Sequence, residues 1–98
     1  MISLKIWLDD VRPAPAGYVL CRSVNEAKRT ILTAVDNKEY ISEINCDHDL
    51  GSYARFGGDG IRLLDWLEEQ NFHFHVLCHS QNPVGIIKMN LIIRKNGW

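Results

Sequence analysis

Residues Tyr40–Gly51 read YISEINCDHDLG, a stretch that heads apolar and then breaks into Asp47, His48 and Asp49 before Leu50 and Gly51 close it. Residues 40–46 suit a β-strand, and the two acids and the imidazole then fall at its carboxyl end. The same plan governs residues 3–10, SLKIWLDD. There Leu4, Ile6 and Leu8 alternate with Lys5 and Trp7, and two acids follow at once. An apolar strand that stops in adjacent carboxylates hands them to a polar loop.

The segments around these strands supply the rest of the plan. RPAPAG, residues 12–17, holds two of the three prolines and cannot be helical. YVLC, residues 18–21, predicts a short strand. SVNEAKRTILTAV, residues 23–35, predicts a helix: Ser23 can cap its first turn, Glu26 can return the hydrogen bond, and Val24, Ala27, Ile31 and Ala34 form one face. IRLLDWLEEQ, residues 61–70, predicts a second helix with Ile61, Leu64 and Leu67 on its apolar side and Asp59 as its cap. In NFHFHVLCHS, residues 71–80, Phe72, Phe74, Val76 and Cys78 share one face of a strand, and His73, His75, Leu77 and His79 share the other. A half-polar strand belongs at the edge of a sheet. NPVGIIKMNLIIRKNG, residues 82–97, predicts a last helix capped by Asn82, with Pro83 in its first turn and Gly97 beyond its end. Its apolar residues lie on more than one side, so it could form a homodimer or another partner surface alongside its packing on the sheet.

The order β, β, α, β, α, β, α implies a parallel sheet joined by right-handed crossovers. Ligands of such sheets bind beyond the carboxyl ends of the strands. One edge therefore collects Asp9, Asp10 and Arg12 from the first strand, Asp47, His48 and Asp49 from the third, and His79, Ser80 and Asn82 from the fourth. Three separate segments that all carry reactive side chains to one edge are the main functional signal of the sequence.

The 98 residues form one domain over 1–98. Hydrophobic residues at 46% and charged residues at 23% are ordinary for a globular chain, and no apolar run approaches a membrane span or a secretory leader. A cytoplasmic location is expected. A formal charge of −1 argues against extended DNA binding, which rests on neutralising many phosphates, but leaves room for a compact site for one phosphate or one RNA end. Cys21, Cys46 and Cys78 each end an apolar run and lack paired spacing, so they are read as buried thiols.

Carboxylates that converge repel one another unless a cation lies between them. The hard oxygens of Asp9, Asp10, Asp47 and, less directly, Asp49 suit Mg2+ or Mn2+. Some of these acids could instead serve as turn or helix caps. His48 and His79 could act as general acid and base, or simply bond a neighbouring loop. His73 and His75 lie within the strand and are read as structural. Arg12 can clamp a phosphate in bidentate fashion, and the free N–H groups of HSQNPVG can face an anion with Ser80 and Asn82. RFGGDG is a glycine-rich turn without the Lys-Ser or Lys-Thr of a phosphate-binding loop.

These residues resemble a response-regulator receiver domain, which places two acids after its first strand, as WLDD does, and a phosphoacceptor aspartate after its third, where this chain has Asp47. GGDG matches a receiver turn as well. No helix fits between Asp10 and Tyr18, however, and no fifth strand follows to carry the receiver lysine. LDDxRxxP, DHDLG and HSxNPxG together look like the derived group of cyclic-phosphate processing receiver domains. That resemblance implies a truncated, flavodoxin-like three-layer α/β fold with a four-stranded sheet ordered 2-1-3-4 and three helices. It also implies a metal-dependent phosphoesterase acting on cyclic phosphates, such as the 2′,3′-cyclic phosphate of RNA ends or nucleotides. Asp9, Asp10 and Asp47 would hold the cation, water or Asp47 would attack phosphorus, and His48 or His79 would protonate the leaving ribose oxygen. The competing class is a binding module, either a receiver phosphorylated on Asp47 or a degenerate one that docks partners.

Overall fold

The computed structural model describes residues 3–98; the first two residues of the domain expected over 1–98 lie outside the described residues. Strand β1 (Ser3–Leu8) is followed by β2 (Tyr18–Cys21), helix α1 (Val24–Asp36), β3 (Tyr40–Cys46), a 3-10 turn (Gly51–Arg55), α2 (Ile61–Glu69), β4 (Val76–Cys78) and α3 (Pro83–Asn96). The four strands form one parallel sheet, as the element order predicts, in the order β2-β1-β3-β4 that the family resemblance implies.

Alternation along the strands sends Ile6, Leu8, Cys21, Ile44, Cys46 and Val76 into a single core with Val24, Ala27 and Ile31 of α1, Leu63, Leu64 and Leu67 of α2, and Met89 and Ile93 of α3. Ile41 joins that core although it stands an odd number of residues from Ile44. The β1–β3 register slips between Leu4 and Lys5, pairing Leu4 with Ile41 and Lys5 with Glu43, and the extra residue Ser42 restores the phase.

All three helices lie on one side of the sheet. The crossovers β2–α1–β3 and β3–α2–β4 step in the same direction, so right-handed connections place both helices on the same face, where α1 packs against α2 and α2 against α3. Only the β1–β2 step runs the other way, and its connection is the proline loop instead of a helix. One of the three expected layers is therefore missing. The open face carries a row of side chains packed on one another instead. Trp7 stacks on His79, with centroids 3.9 Å apart and planes at 12°, and meets Tyr18 edge-on. The Tyr18 hydroxyl donates to Glu43.

Local chemistry agrees with the sequence at some helix starts and departs from it at others. Ser23 accepts from the N–H of Glu26, but the Glu26 carboxylate reaches one residue further back, to the N–H of Arg22. Asn82 caps α3 by accepting from the Gly85 N–H, and Gly97 ends that helix at φ +69°. Asp59 does not cap α2; it accepts from the N–H of Leu50, while Gly60 occupies the capping position without a side-chain bond. The fourth strand is shorter than expected. Phe72 and Phe74 wrap the end of α2 beside Trp66 instead of pairing with β3, and the Phe72 N–H donates to the Leu67 carbonyl. Cys21, Cys46 and Cys78 are free thiols facing the helices, and burial pushes all three above the ordinary thiol range. No helix among the described residues is long and apolar enough to cross a membrane.

Candidate functional site

The carboxyl ends of the strands are tied side by side by the ladder itself. The N–H of Asp9 donates to the Cys21 carbonyl, that of Asp47 to Leu8, and that of His79 to Cys46. Three chain segments are thereby held in register, with their acids and imidazole at one edge. An open cleft of about 300 Å³ lies there, lined by Asp9, Asp10, Val11, Arg12, Asp47, Asp49, Ser80 and Gln81. Four carboxylates and one guanidinium give it a negative interior.

Asp9 is the anchor. It is 1% exposed, and a buried carboxylate must be paired. Oδ1 accepts from the N–H groups of Val11 and Arg12 at 2.9 and 2.8 Å, which shapes the loop after β1, and Oδ2 accepts from His79 Nε2 at 2.9 Å. Burial alone would raise its pKa, but those three donors together hold the carboxyl below the usual range. Asp47 lies in the opposite regime. Burial raises its pKa, the neighbouring Asp9 charge raises it further, and Ser80, the His48 N–H and His79 only partly oppose them. The atoms of Asp9, Asp47 and His79 come within 4.8 Å of one another, a group that could bind a metal ion. The hard oxygens of this edge fit a small divalent cation.

Neither histidine lines the cleft. His79 is held on both ring nitrogens, with Nε2 on Asp9 and Nδ1 2.6 Å from Asn45 Oδ1, and its face is against Trp7. The Asn45 amide can serve either charge state of the ring. Its oxygen accepts from an imidazolium, and after a flip its nitrogen donates to a neutral ring. His48 places Nδ1 2.7 Å from Asp49 Oδ1. The Asn82 amide donates to both Asp49 oxygens, at 3.2 and 3.3 Å. This network holds Asp49 below the ordinary carboxylate range, first through His48 and then through Asn82. Asp49 also belongs to a second close group, with His48 and Asp59.

Glycines make the close approaches possible. A Cβ on Gly60 would lie 1.7 Å from the Asp47 carbonyl oxygen, and one on Gly85 would lie 2.5 Å from Cγ of His48. Gly51, at φ +55°, leaves room for the Asp10 carboxylate, which a Cβ would meet at 2.7 Å. The GGDG turn thus lets α2 start directly on the backbone of the third strand's loop, where the Gly60 N–H donates to the His48 carbonyl.

Of the residues singled out from the sequence, Asp9, Asp10, Arg12, Asp47, Asp49 and Ser80 line one cleft, whereas His48, His79 and Asn82 stand behind it and hold Asp49 or Asp9. Three contributors escaped sequence reasoning. Asn45 and Trp7 orient His79, and each precedes a site aspartate by two residues on its strand, so the period of two offered a signal. Arg22 Nη1 donates to the carbonyls of Asp9 and Arg12 and straps the first loop from β2. Nothing in its sequence context marked it.

No curated protein and no solved structure matches the chain. The family model described as cyclic-phosphate processing receiver domain matches residues 4–95, nearly the whole sequence. With the 2-1-3-4 parallel sheet and the acid-lined edge both in place, the chain belongs to the cyclic-phosphate processing receiver domain family.

Proposed function

We propose that this domain is a metal-dependent phosphoesterase that opens cyclic phosphates, with the 2′,3′-cyclic phosphate of an RNA end or a nucleotide as its substrate class. One observation carries the reading: segments far apart in the chain line a single open cleft with four carboxylates beside an arginine. Membership in the family supports the choice of cyclic phosphate.

A divalent cation, Mg2+ or Mn2+, would supply positive charge to the phosphate oxygens when bound. Asp9 and Asp47, each with a carboxylate oxygen within 4.8 Å of the other, are the acids that would hold it, with Asp10 on the cleft wall and Asp49 at the rim. Asp9 Oδ1 is taken by the N–H groups of Val11 and Arg12 and fixes the loop, whereas Oδ2 accepts only from His79 and keeps a lone pair for the cation. The Arg12 N–H is pinned by Asp9, which sets its exposed guanidinium beside the cleft to clamp a phosphate. Ser80 supplies a hydroxyl on the opposite wall, and Asn82 fixes the start of α3. As water adds to phosphorus and the ribose P–O bond breaks, the leaving oxygen would take its proton through a bridging water, because neither histidine lines the cleft. His48 is better suited than His79 to supply it. Its Nδ1 is held by Asp49, so Nε2 gives the proton, whereas His79 is engaged at both nitrogens.

Incubation with an oligonucleotide ending in a 2′,3′-cyclic phosphate, with Mg2+ or Mn2+, should convert it to a monoester that migrates faster on a denaturing gel. Absence of ring opening with either metal would sink the proposal. Labelling of Asp47 by acetyl phosphate would instead favour a phosphoacceptor.

A further inference from the structure

The outer face of α3 is apolar where a surface helix should be polar. Val84, Ile87 and Leu91 are 61, 60 and 58% exposed. At about 100° per residue they form one seam, opposite the buried Gly85, Met89 and Ile93. Lys88, Arg94 and Lys95 flank the seam, and α3 contains no acidic residue. Lys95 leans on Glu68 at 3.3 Å, while Lys88 and Arg94 have no ion-pair partner among the described residues. Arg94 and Lys95 also suit the negative end of the helix dipole. Lys88, at mid-helix, has no such explanation.

We propose that this face docks a partner protein through an acidic amphipathic helix, whose apolar stripe covers the seam and whose carboxylates meet Lys88 and Arg94. Aliphatic side chains repeating at i, i+3 and i+7 match the anchors of helix-on-helix recognition. A second copy of the chain fits poorly. An isologous contact sets a patch against itself, so a flank of cations without acids would face its twin. RNA would engage the lysines and leave three aliphatics uncovered, and a bilayer surface favours a helix with deeper apolar anchors. Val84 stands in the first turn of α3, just past the Asn82 cap, so the bound partner would end beside the cleft.

The test is amide chemical-shift mapping with two synthetic amphipathic peptides that share a leucine seam, one flanked by glutamates and the other by lysines. The glutamate peptide should give saturable shifts centred on Ile87, Lys88 and Leu91. Lys88→Glu should leave the melting temperature unchanged, weaken that peptide about tenfold and reverse the preference. Leu91→Ser should weaken both peptides. The proposal is overturned by no saturable shift, by equal binding of the two peptides, or by preference of this face for single-stranded RNA or phosphatidylserine vesicles. It is also overturned by a stable dimer in light scattering whose α3 amides are already protected.

Discussion

Asp47 should destabilise the protein that it serves. Its carboxylate lies in a group whose atoms, including one from Asp9, fall within 4.8 Å of one another. At that separation two like charges repel by roughly 3 kcal/mol at an effective dielectric constant near 20. Burial of the carboxylate is the larger cost and adds to this repulsion, and the Ser80 side chain, the His48 N–H and His79 offset part of the two together, which leaves a net penalty of about 1–2 kcal/mol. Asp47→Asn removes the charge and keeps the shape. In a chelator the variant should therefore melt about 5 °C above the wild type, since 1 kcal/mol moves a domain of this size by roughly 4–8 °C. Adding Mg2+ should reverse the order. A cation that binds only the folded state stabilises by about 2.7 kcal/mol at a hundredfold excess over its Kd, and the variant should lose most of that gain. Thermal melts followed by circular dichroism, with and without Mg2+, make the comparison. A variant that melts at or below the wild type in chelator, or that gains as much from Mg2+, would refute this account of the cleft.

Other substitutions probe how the cleft is held. Gly60→Ala would place a methyl 1.7 Å from the Asp47 carbonyl oxygen, backbone against side chain with nothing free to rotate away, and should cost about 1–3 kcal/mol or more, read as a loss of melting temperature. Gly85→Ala meets the movable ring of His48 instead. A better helix residue should offset its strain in stability, while the imidazole proton resonances of His48 move and ring opening slows. His79→Phe keeps a ring against Trp7 but strands Asp9 Oδ2 and Asn45, which should cost about 1–3 kcal/mol in denaturant melts; an unchanged midpoint would mean the network is idle. Asp9 gives an acid limb of known sign. Its folded pKa is depressed, so its contribution is complete above about pH 4, the unfolded value, and is lost as the pH falls through the folded one. Asp9→Asn should flatten that limb in pH-dependent melts.

Most of the element order was legible because period-two and period-3.6 patterns, a serine cap and an asparagine-proline start all point the same way at residues 3–36 and 82–97. Gathering of the strand-end acids followed from the parallel topology alone. What stayed hidden was non-local. Asp59 sits where a helix cap belongs, and only the fold brings the Leu50 N–H to it. Phe72 and Phe74 keep strand alternation, yet the end of α2 competes for them and wins. His79 reads as a free strand-end base until the sheet sets Asn45, Trp7 and Asp9 around it. The missing third layer was foreshadowed by the prolines after Arg12, which deny the only connection that could have supplied it.

The most direct measurement is 31P NMR of a 2′,3′-cyclic nucleotide monophosphate incubated with the protein and Mg2+. With the wild type the cyclic resonance should give way to that of a phosphomonoester, and it should persist with chelator or with Asp47→Asn. A cyclic resonance untouched by the wild type, or lost equally with Asp47→Asn, would contradict the proposal.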